Sequence, residues 1–246
     1  MFNRSVLFSF PDIEPKCYSL WVFTERGAMY RILVASPKGG PGKSHLTRNL
    51  AVAAARDKIK VATADLDPQA TLTIWSCRRP DDMPSIPHYK VAWADADALL
   101  DDDELSAHDA ILIDTPPSIE TQPTSFSKLL GASDLVLVPC RPTFDDAESA
   151  APFLKHLRDQ GKRAVVILNF VKPRVNVNAV KAYLLEHGEI CPVDIADRTD
   201  YARAGAKGMG LLDVPGHIGG DEVRGVWLFV KNIVWKEKRR GRKVAA

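Results

Sequence analysis

Five short apolar runs, each closed by a polar or glycine-rich turn, constrain the fold of this 246-residue chain more than any other feature. They are RILVAS (31–36), KVATAD (60–65), AILIDT (110–115), DLVLVP (134–139) and AVVILN (164–169). Their apolarity is nearly continuous, so each strand is expected to be buried on both faces, the condition of a parallel sheet covered by helices on either side. Helical patterns are read between and after the runs at 44–57, 70–78, 122–131, 143–160, 176–187 and 220–240. The expected fold is α/β, a doubly wound, mostly parallel sheet flanked by helices. No internal repeat interrupts it.

Hydrophobic residues make up 46% and charged residues 26%, enough to bury a full core in one domain, read here as residues 30–236. Residues 1–29 do not fit the alternation and read as an N-terminal extension to which the sequence assigns no function. The acidic run DDDE (101–104) reads as a solvated turn. Cys17, Cys77, Cys140 and Cys191 form no C-x-x-C pair, which speaks against a zinc site or a disulfide framework and for a reducing cytosol. No apolar run approaches the roughly 20 residues of a membrane span, and VLFSF is too brief for a signal peptide. The expectation is a cytoplasmic protein. The net charge of +2 is unevenly spread: seven basic residues against Glu237 alone fall in 226–246, and 237–246 reads as a basic tail. An acidic body with a basic end suggests a polyanionic partner, nucleic acid or anionic lipid.

SPKGGPGKSHLT (36–47) follows the first strand and opens the first helix. In that context, glycines let backbone N–H groups converge on phosphate oxygens, and the helix N-terminus adds its dipole. Lys43 is placed to neutralise β- and γ-phosphate charge and the Ser44 hydroxyl to ligate Mg²⁺. The first glycine of the usual G-x-x-x-x-G-K-[ST] pattern would fall on Pro37, and a second lysine, Lys38, follows it.

Lys38, Gly39, Gly40, Pro41, Gly42, Lys43 and Ser44 resemble the deviant Walker A motif K-G-G-x-G-K-[ST] of the ParA/MinD family of ATPases. The resemblance implies a P-loop ATPase that binds ATP and Mg²⁺, and it implies that Lys38 reaches across a dimer interface to the partner's nucleotide. His45 stands where the family more often has a second Ser or Thr near the α-phosphate. DLDPQAT (65–71) resembles the family's D-x-D-P-Q stretch, which gives Asp67 the attacking water and Asp65 a part in supporting the metal shell. Phosphoryl transfer depends mostly on positioning and charge stabilisation, so neither need be a strong base. ILIDTPP (111–117) resembles Walker B and gives Asp114 a water-mediated Mg²⁺ contact. Asn169 matches the position that reads the adenine edge, with a turn role as its bland alternative. RPTFDDAES (141–149) resembles a loop lining the dimer face.

Thr115, Pro116, Pro117 and Ser118 stand where an iron-sulfur relative would carry cysteines, and no small-substrate pocket of a synthetase is legible. The choice narrows to a nucleoid-bound partition ATPase or a MinD-like membrane-bound one. Trp227, Phe229, Val230, Ile233 and Val234 suit a final helix packed on the sheet better than a lipid-facing one. The D-P-Q-A-T and D-T-P-P wording looks like ParA. The resemblance adds Arg198 and Arg203 as DNA-contacting positions, and the tail adds Lys238, Arg239, Arg240, Arg242 and Lys243. No helix-turn-helix precedes the loop, so DNA binding without sequence preference is expected. The implied partners are nucleoid DNA, a ParB-type adaptor that stimulates slow hydrolysis, and a second copy of the chain in an ATP-dependent homodimer.

Overall fold

The computed structural model describes residues 29–101, 105, 107–117 and 123–244, with side chains described as far as residue 235 except at 101. The N-terminal extension before Met29, most of the acidic run at 101–104, and the side chains of the basic tail lie outside the described residues.

In chain order the elements are β1 (Tyr30–Val34), α1 (Lys43–Arg56), β2 (Val61–Asp65), α2 (Thr71–Cys77), β3 (His88–Lys90) and α3 (Ala98–Asp101). They continue with β4 (Ala110–Asp114), α4 (Pro123–Ala132), β5 (Leu135–Cys140), α5 (Phe144–Asp159), β6 (Ala164–Val171) and α6 (Asn178–Leu185). The last are β7 (Glu189–Ile190), β8 (Ile195–Ala196), α7 (Thr199–Ala206) and α8 (Ile218–Val244). The sheet runs β3-β2-β4-β1-β5-β6-β7, with β8 added beside β6, and each of these pairings is parallel. The five apolar runs are its five central strands.

Residue parity along each strand assigns its side chains to two cores. Leu33, Ile111, Ile113, Val136 and Val138 face α4, α5 and α6 through Phe126, Leu129, Phe153, Leu157 and Leu184. Ile32, Val34, Leu112, Leu135 and Leu137 face α1, α7 and α8 through Leu46, Leu50, Tyr201, Val226 and Trp227. Five elements were not expected from sequence: β3, α3, β7, β8 and α7.

The chain leaves β1 for β2 on one side and later fills β5 on the other, so the strand order reverses around β1. Ligands of open parallel sheets bind outside the carboxyl ends of strands at such a reversal. There the register sets Val34 beside Asp114 and Asp65 beside Asp114. Three motifs separated in sequence thus meet at one edge.

Candidate functional site

The loop from β1 into α1 turns on two glycines in the left-handed region, Gly40 at φ 90° and Gly42 at φ 92°. Gly42 is the N-cap of α1 and no side chain caps that end, so the first N–H groups of the helix face the loop and suit an anion. Lys43 is buried, and its Nζ donates to Ser36 Oγ and to the Lys38 carbonyl, both at 3.2 Å. Burial lowers its pKa, while Asp114 and Asp67 act in the opposite direction.

Opposite the lysine stand three aspartates. Asp114, fully buried, has its pKa pushed up to about 7, mainly by desolvation and further by Asp65 and Asp67. The Ser44 hydroxyl lies close enough to counter part of that shift, yet neither Asp114 oxygen has a hydrogen bond of good geometry. Asp67 accepts from the Gln69 N–H through Oδ1 at 2.9 Å. Asp65 is fully buried and fully engaged: Oδ1 accepts from the Asp67 N–H at 3.0 Å, and Oδ2 accepts from the Thr73 N–H at 2.9 Å and its hydroxyl at 2.8 Å. These bonds tie Asp65 to the turn that carries Asp67 and to the first turn of α2.

A glycine cradle, a buried lysine and a carboxylate with orphaned oxygens fit a nucleotide polyphosphate with its divalent cation. The chain matches the family described as CobQ/CobB/MinD/ParA nucleotide binding domain over residues 32–212. It belongs to that family. It is 28% identical over 184 residues to Protein ParA of Rhizobium radiobacter, covering 70% of this chain and 80% of the relative. Among solved structures it is similar to an McdA variant of Cyanothece in complex with ATP, at TM-score 0.65 and 18% identity, over 84% of this chain and 96% of that one. It is also similar to MinD of Pyrococcus horikoshii complexed with Mg-ADP, at TM-score 0.66 and 16% identity, over 83% and 97% of the two chains.

In this ParA/MinD-type domain the two loop lysines part company. Lys43 fills the cradle, whereas Lys38 points away from it: its Nζ donates to the Asp145 carbonyl at 2.8 Å and lies 3.9 Å from Asp146 Oδ1, at the N-terminus of α5. A cation is disfavoured at a helix N-terminus, and only the acidic first turn of α5 offsets this.

A cavity of about 390 Å³ opens over the loop, lined by Lys43, Ser44, His45, Asp67, Arg141 and Phe170 among others. His45 is buried between the rings of Phe170 (5.0 Å between centroids) and Tyr201 (4.5 Å), with both ring nitrogens unpartnered. Burial, helped by Arg48, takes its pKa down to about 3. Arg141 and Phe170 went unassigned individually in the sequence reading. The guanidinium of Arg141 lies against Gly40, and Phe170 sits at φ 60°, its ring 6.0 Å from that guanidinium.

Asn169, expected at the adenine edge, is committed elsewhere. Its buried amide donates to the Pro41 carbonyl at 2.8 Å and its Oδ1 accepts from the Phe170 N–H at 3.2 Å, so it braces the loop. Arg198 pairs with Glu222 of α8 at 2.5 Å, with 29% of its side chain exposed. Arg203 is 78% exposed with a weak partner, Asp200, at 3.5 Å. Lys238, Arg239, Arg240, Arg242 and Lys243 lie on the last turns of α8, outside the described side chains.

Proposed function

We propose that the chain is a ParA-type ATPase in which Mg²⁺ and ATP close a dimer, the dimer holds DNA without sequence preference, and an adaptor speeds hydrolysis and release. Such a cycle would position a plasmid, chromosome or protein cargo on the nucleoid. The observation that carries this reading is the separation of the two lysines. Lys43 is sufficient for the phosphates of its own subunit; Lys38, half-exposed and turned toward the N-terminus of α5, is left for a second subunit.

In this reading the backbone N–H groups of Gly39, Gly40, Gly42, Lys43 and Ser44 hold the phosphates, and the Lys43 amine exchanges its two loop acceptors for phosphate oxygens. Ser44 and Asp114 would hold Mg²⁺, which when bound offsets charge on the β- and γ-phosphates. Asp67 keeps Oδ1 on Gln69 and offers Oδ2 to the attacking water, so that water is oriented toward the terminal phosphorus while ADP leaves. Arg141, beside Gly40, would set positive charge against the negative charge that develops on the phosphate oxygens during transfer.

The test separates the lysines. Lys43→Ala is expected to abolish binding of a fluorescent ATP analogue, whereas Lys38→Ala keeps binding within about twofold and loses ATP-dependent dimerisation in light scattering. Equal loss of nucleotide affinity in both variants would overturn the cross-subunit role.

A MinD-like membrane role is the second reading, and α8 is where it would act. Trp227, which a lipid-facing helix would expose, is 1% exposed, and Phe229 and Trp235 pack against the same core. Among the described residues no helix is long and apolar enough to cross a membrane. The burial of Trp227 favours the DNA reading.

A further inference from the structure

The turn that presents Asp67 is supported from behind by edge strand β3, an element with no part in the motifs. β3 pairs with β2 so that His88 stands beside Thr63 and Lys90 beside Asp65. From there a chain of hydrogen bonds leads inward. Thr63 Oγ1 lies 3.0 Å from His88 Nδ1, His88 Nε2 lies 3.0 Å from Thr73 Oγ1, and Thr73 Oγ1 lies 2.8 Å from Asp65 Oδ2.

Donor and acceptor capacity fixes the two links at Thr73. An ionised carboxylate only accepts, so the single hydroxyl hydrogen of Thr73 is committed to Asp65. Thr73 Oγ1 must then accept from His88, which makes Nε2 a protonated nitrogen. The Thr63 hydroxyl is shared between His88 Nδ1 at 3.0 Å and the Pro87 carbonyl at 3.4 Å, and in the neutral ring Nδ1 accepts from it. Burial lowers the pKa of His88, in keeping with the neutral form, although Asp65 opposes this and Lys90 adds to it.

Asp65 converts this relay into the geometry of the turn. One oxygen takes both Thr73 donors at the start of α2, whose N-cap, Ala70, has no side chain to offer, and the other takes the Asp67 N–H. Lys90 closes the turn from the opposite side, with its Nζ donating to the Asp67 carbonyl and lying 3.6 Å from Asp65 Oδ1. Ala70 is held at φ 55°, a conformation an alanine adopts only when its surroundings require it.

We propose that Thr73, His88 and Lys90 are positioning residues for hydrolysis: β3 fixes the Asp65–Ala70 turn so that the free oxygen of Asp67 is aimed at the attacking water. The proposal rests on the reading of Asp67 as the residue that orients that water. Phosphate binding does not depend on the relay, because the cradle is built from β1 and α1.

The experiment is single-turnover hydrolysis of radiolabelled ATP by the full chain with Mg²⁺, beside the affinity for a non-hydrolysable ATP analogue. Thr73→Val, which keeps the side-chain shape, and His88→Ala are expected to slow hydrolysis about tenfold to a hundredfold while affinity stays within about twofold. His88→Gln, whose amide nitrogen can take the place of Nε2, is expected to recover most of the rate. Lys90→Met should give a smaller loss of the same kind. Asp67→Ala serves as the control on the underlying reading. If Asp67→Ala hydrolyses at the wild-type rate, the assignment of Asp67 fails and the proposal falls with it. If Asp67→Ala is slow but Thr73→Val and His88→Ala are not, the relay alone is overturned. Parallel loss of rate and affinity, with no recovery in His88→Gln, also overturns it, since a merely structural role predicts that pattern.

Discussion

Gly42 is constrained twice over, by a φ of 92° and by neighbours that leave no space: an added Cβ would lie 2.4 Å from Asn169 Nδ2 and 2.7 Å from Phe170 Cε2. The left-handed backbone costs an alanine about 1–2 kcal/mol, and the clash must be relieved by moving the two residues that brace the loop. Gly42→Ala is therefore expected to lower nucleotide affinity about a hundredfold or more, read by titration with a fluorescent ATP analogue. His45 gives a prediction with a sign. Unfolded, its ring takes a proton below the ordinary 6.5; folded, it does so only near 3. Between those values the unfolded state holds the extra proton, so its contribution to stability is intact above pH 6.5 and is lost as pH falls toward 3, at about 1.4 kcal/mol per pH unit. His45→Leu should flatten that slope by about one proton relative to the wild type, measured by urea denaturation between pH 6.5 and 4.5, the comparison cancelling the carboxylates common to both. What was legible at this scale follows from sequence distance. Lys38, Lys43, Ser44, Asp67 and Asp114 sit in local motifs whose spacing carries their chemistry. Arg141 and Phe170 meet the loop only after β5 and β6 are laid beside β1, and no local pattern announces that. The contact of Asn169 with the Pro41 carbonyl is not legible either, because sequence cannot show which neighbouring backbone a buried amide will meet.

Helix α8 ties the C-terminal part of the chain to α1 and β1. The Trp227 indole N–H donates to Asp57 Oδ2 at 3.0 Å, at the end of α1, and the Lys231 ammonium donates to the same oxygen at 2.6 Å. The Trp235 ring lies 4.4 Å from that of Tyr30, the first residue of β1, tilted by 49°, and meets Trp227 edge-on at 5.9 Å. Trp227→Ala should cost about 3–5 kcal/mol through the cavity it leaves. Trp227→Phe should cost about 1–2 kcal/mol, losing one hydrogen bond and little packing. Both are read from denaturation midpoints at constant m-value. A tryptophan serving a membrane would behave differently, with vesicle binding lost and stability unchanged. The expectation of a packed final helix came from residue spacing, and the central strands and six helices were legible because each is long enough to show a period. β3, β7 and β8 span three, two and two residues, too short for any alternation to register, and they exist because a neighbouring strand offers its edge. α7 buries only Tyr201, Ala204 and Gly205, too few for a stripe. Two of the three supports proposed for Asp67, His88 and Lys90, lie in one of these unannounced strands, β3.

At the scale of the whole molecule, the basic end of α8 and the exposed Arg203 decide between DNA and lipid. If a bound dimer neutralises about six phosphates, counterion release gives a log–log salt slope near −5, and binding falls about a thousandfold between 50 and 200 mM salt. Little sequence preference is expected, because phosphate contacts position a protein without specifying a base. Replacing Lys238, Arg239, Arg240, Arg242 and Lys243 with alanine should flatten the slope and leave basal ATP turnover unchanged, since the turnover motifs gather at the carboxyl ends of β1, β2 and β4. Arg203→Ala should reduce the slope by about one. Arg198→Ala should change it less, because that guanidinium is already neutralised by Glu222, and should instead loosen the contact between α7 and α8. The measurement is fluorescence anisotropy on random-sequence duplex DNA across a salt series, with ATP and Mg²⁺ present, beside co-sedimentation with anionic vesicles at matched low salt. Binding to vesicles but not to DNA, abolished by the same five alanines, would transfer the basic end of α8 from nucleic acid to lipid and the protein to the MinD side of its family.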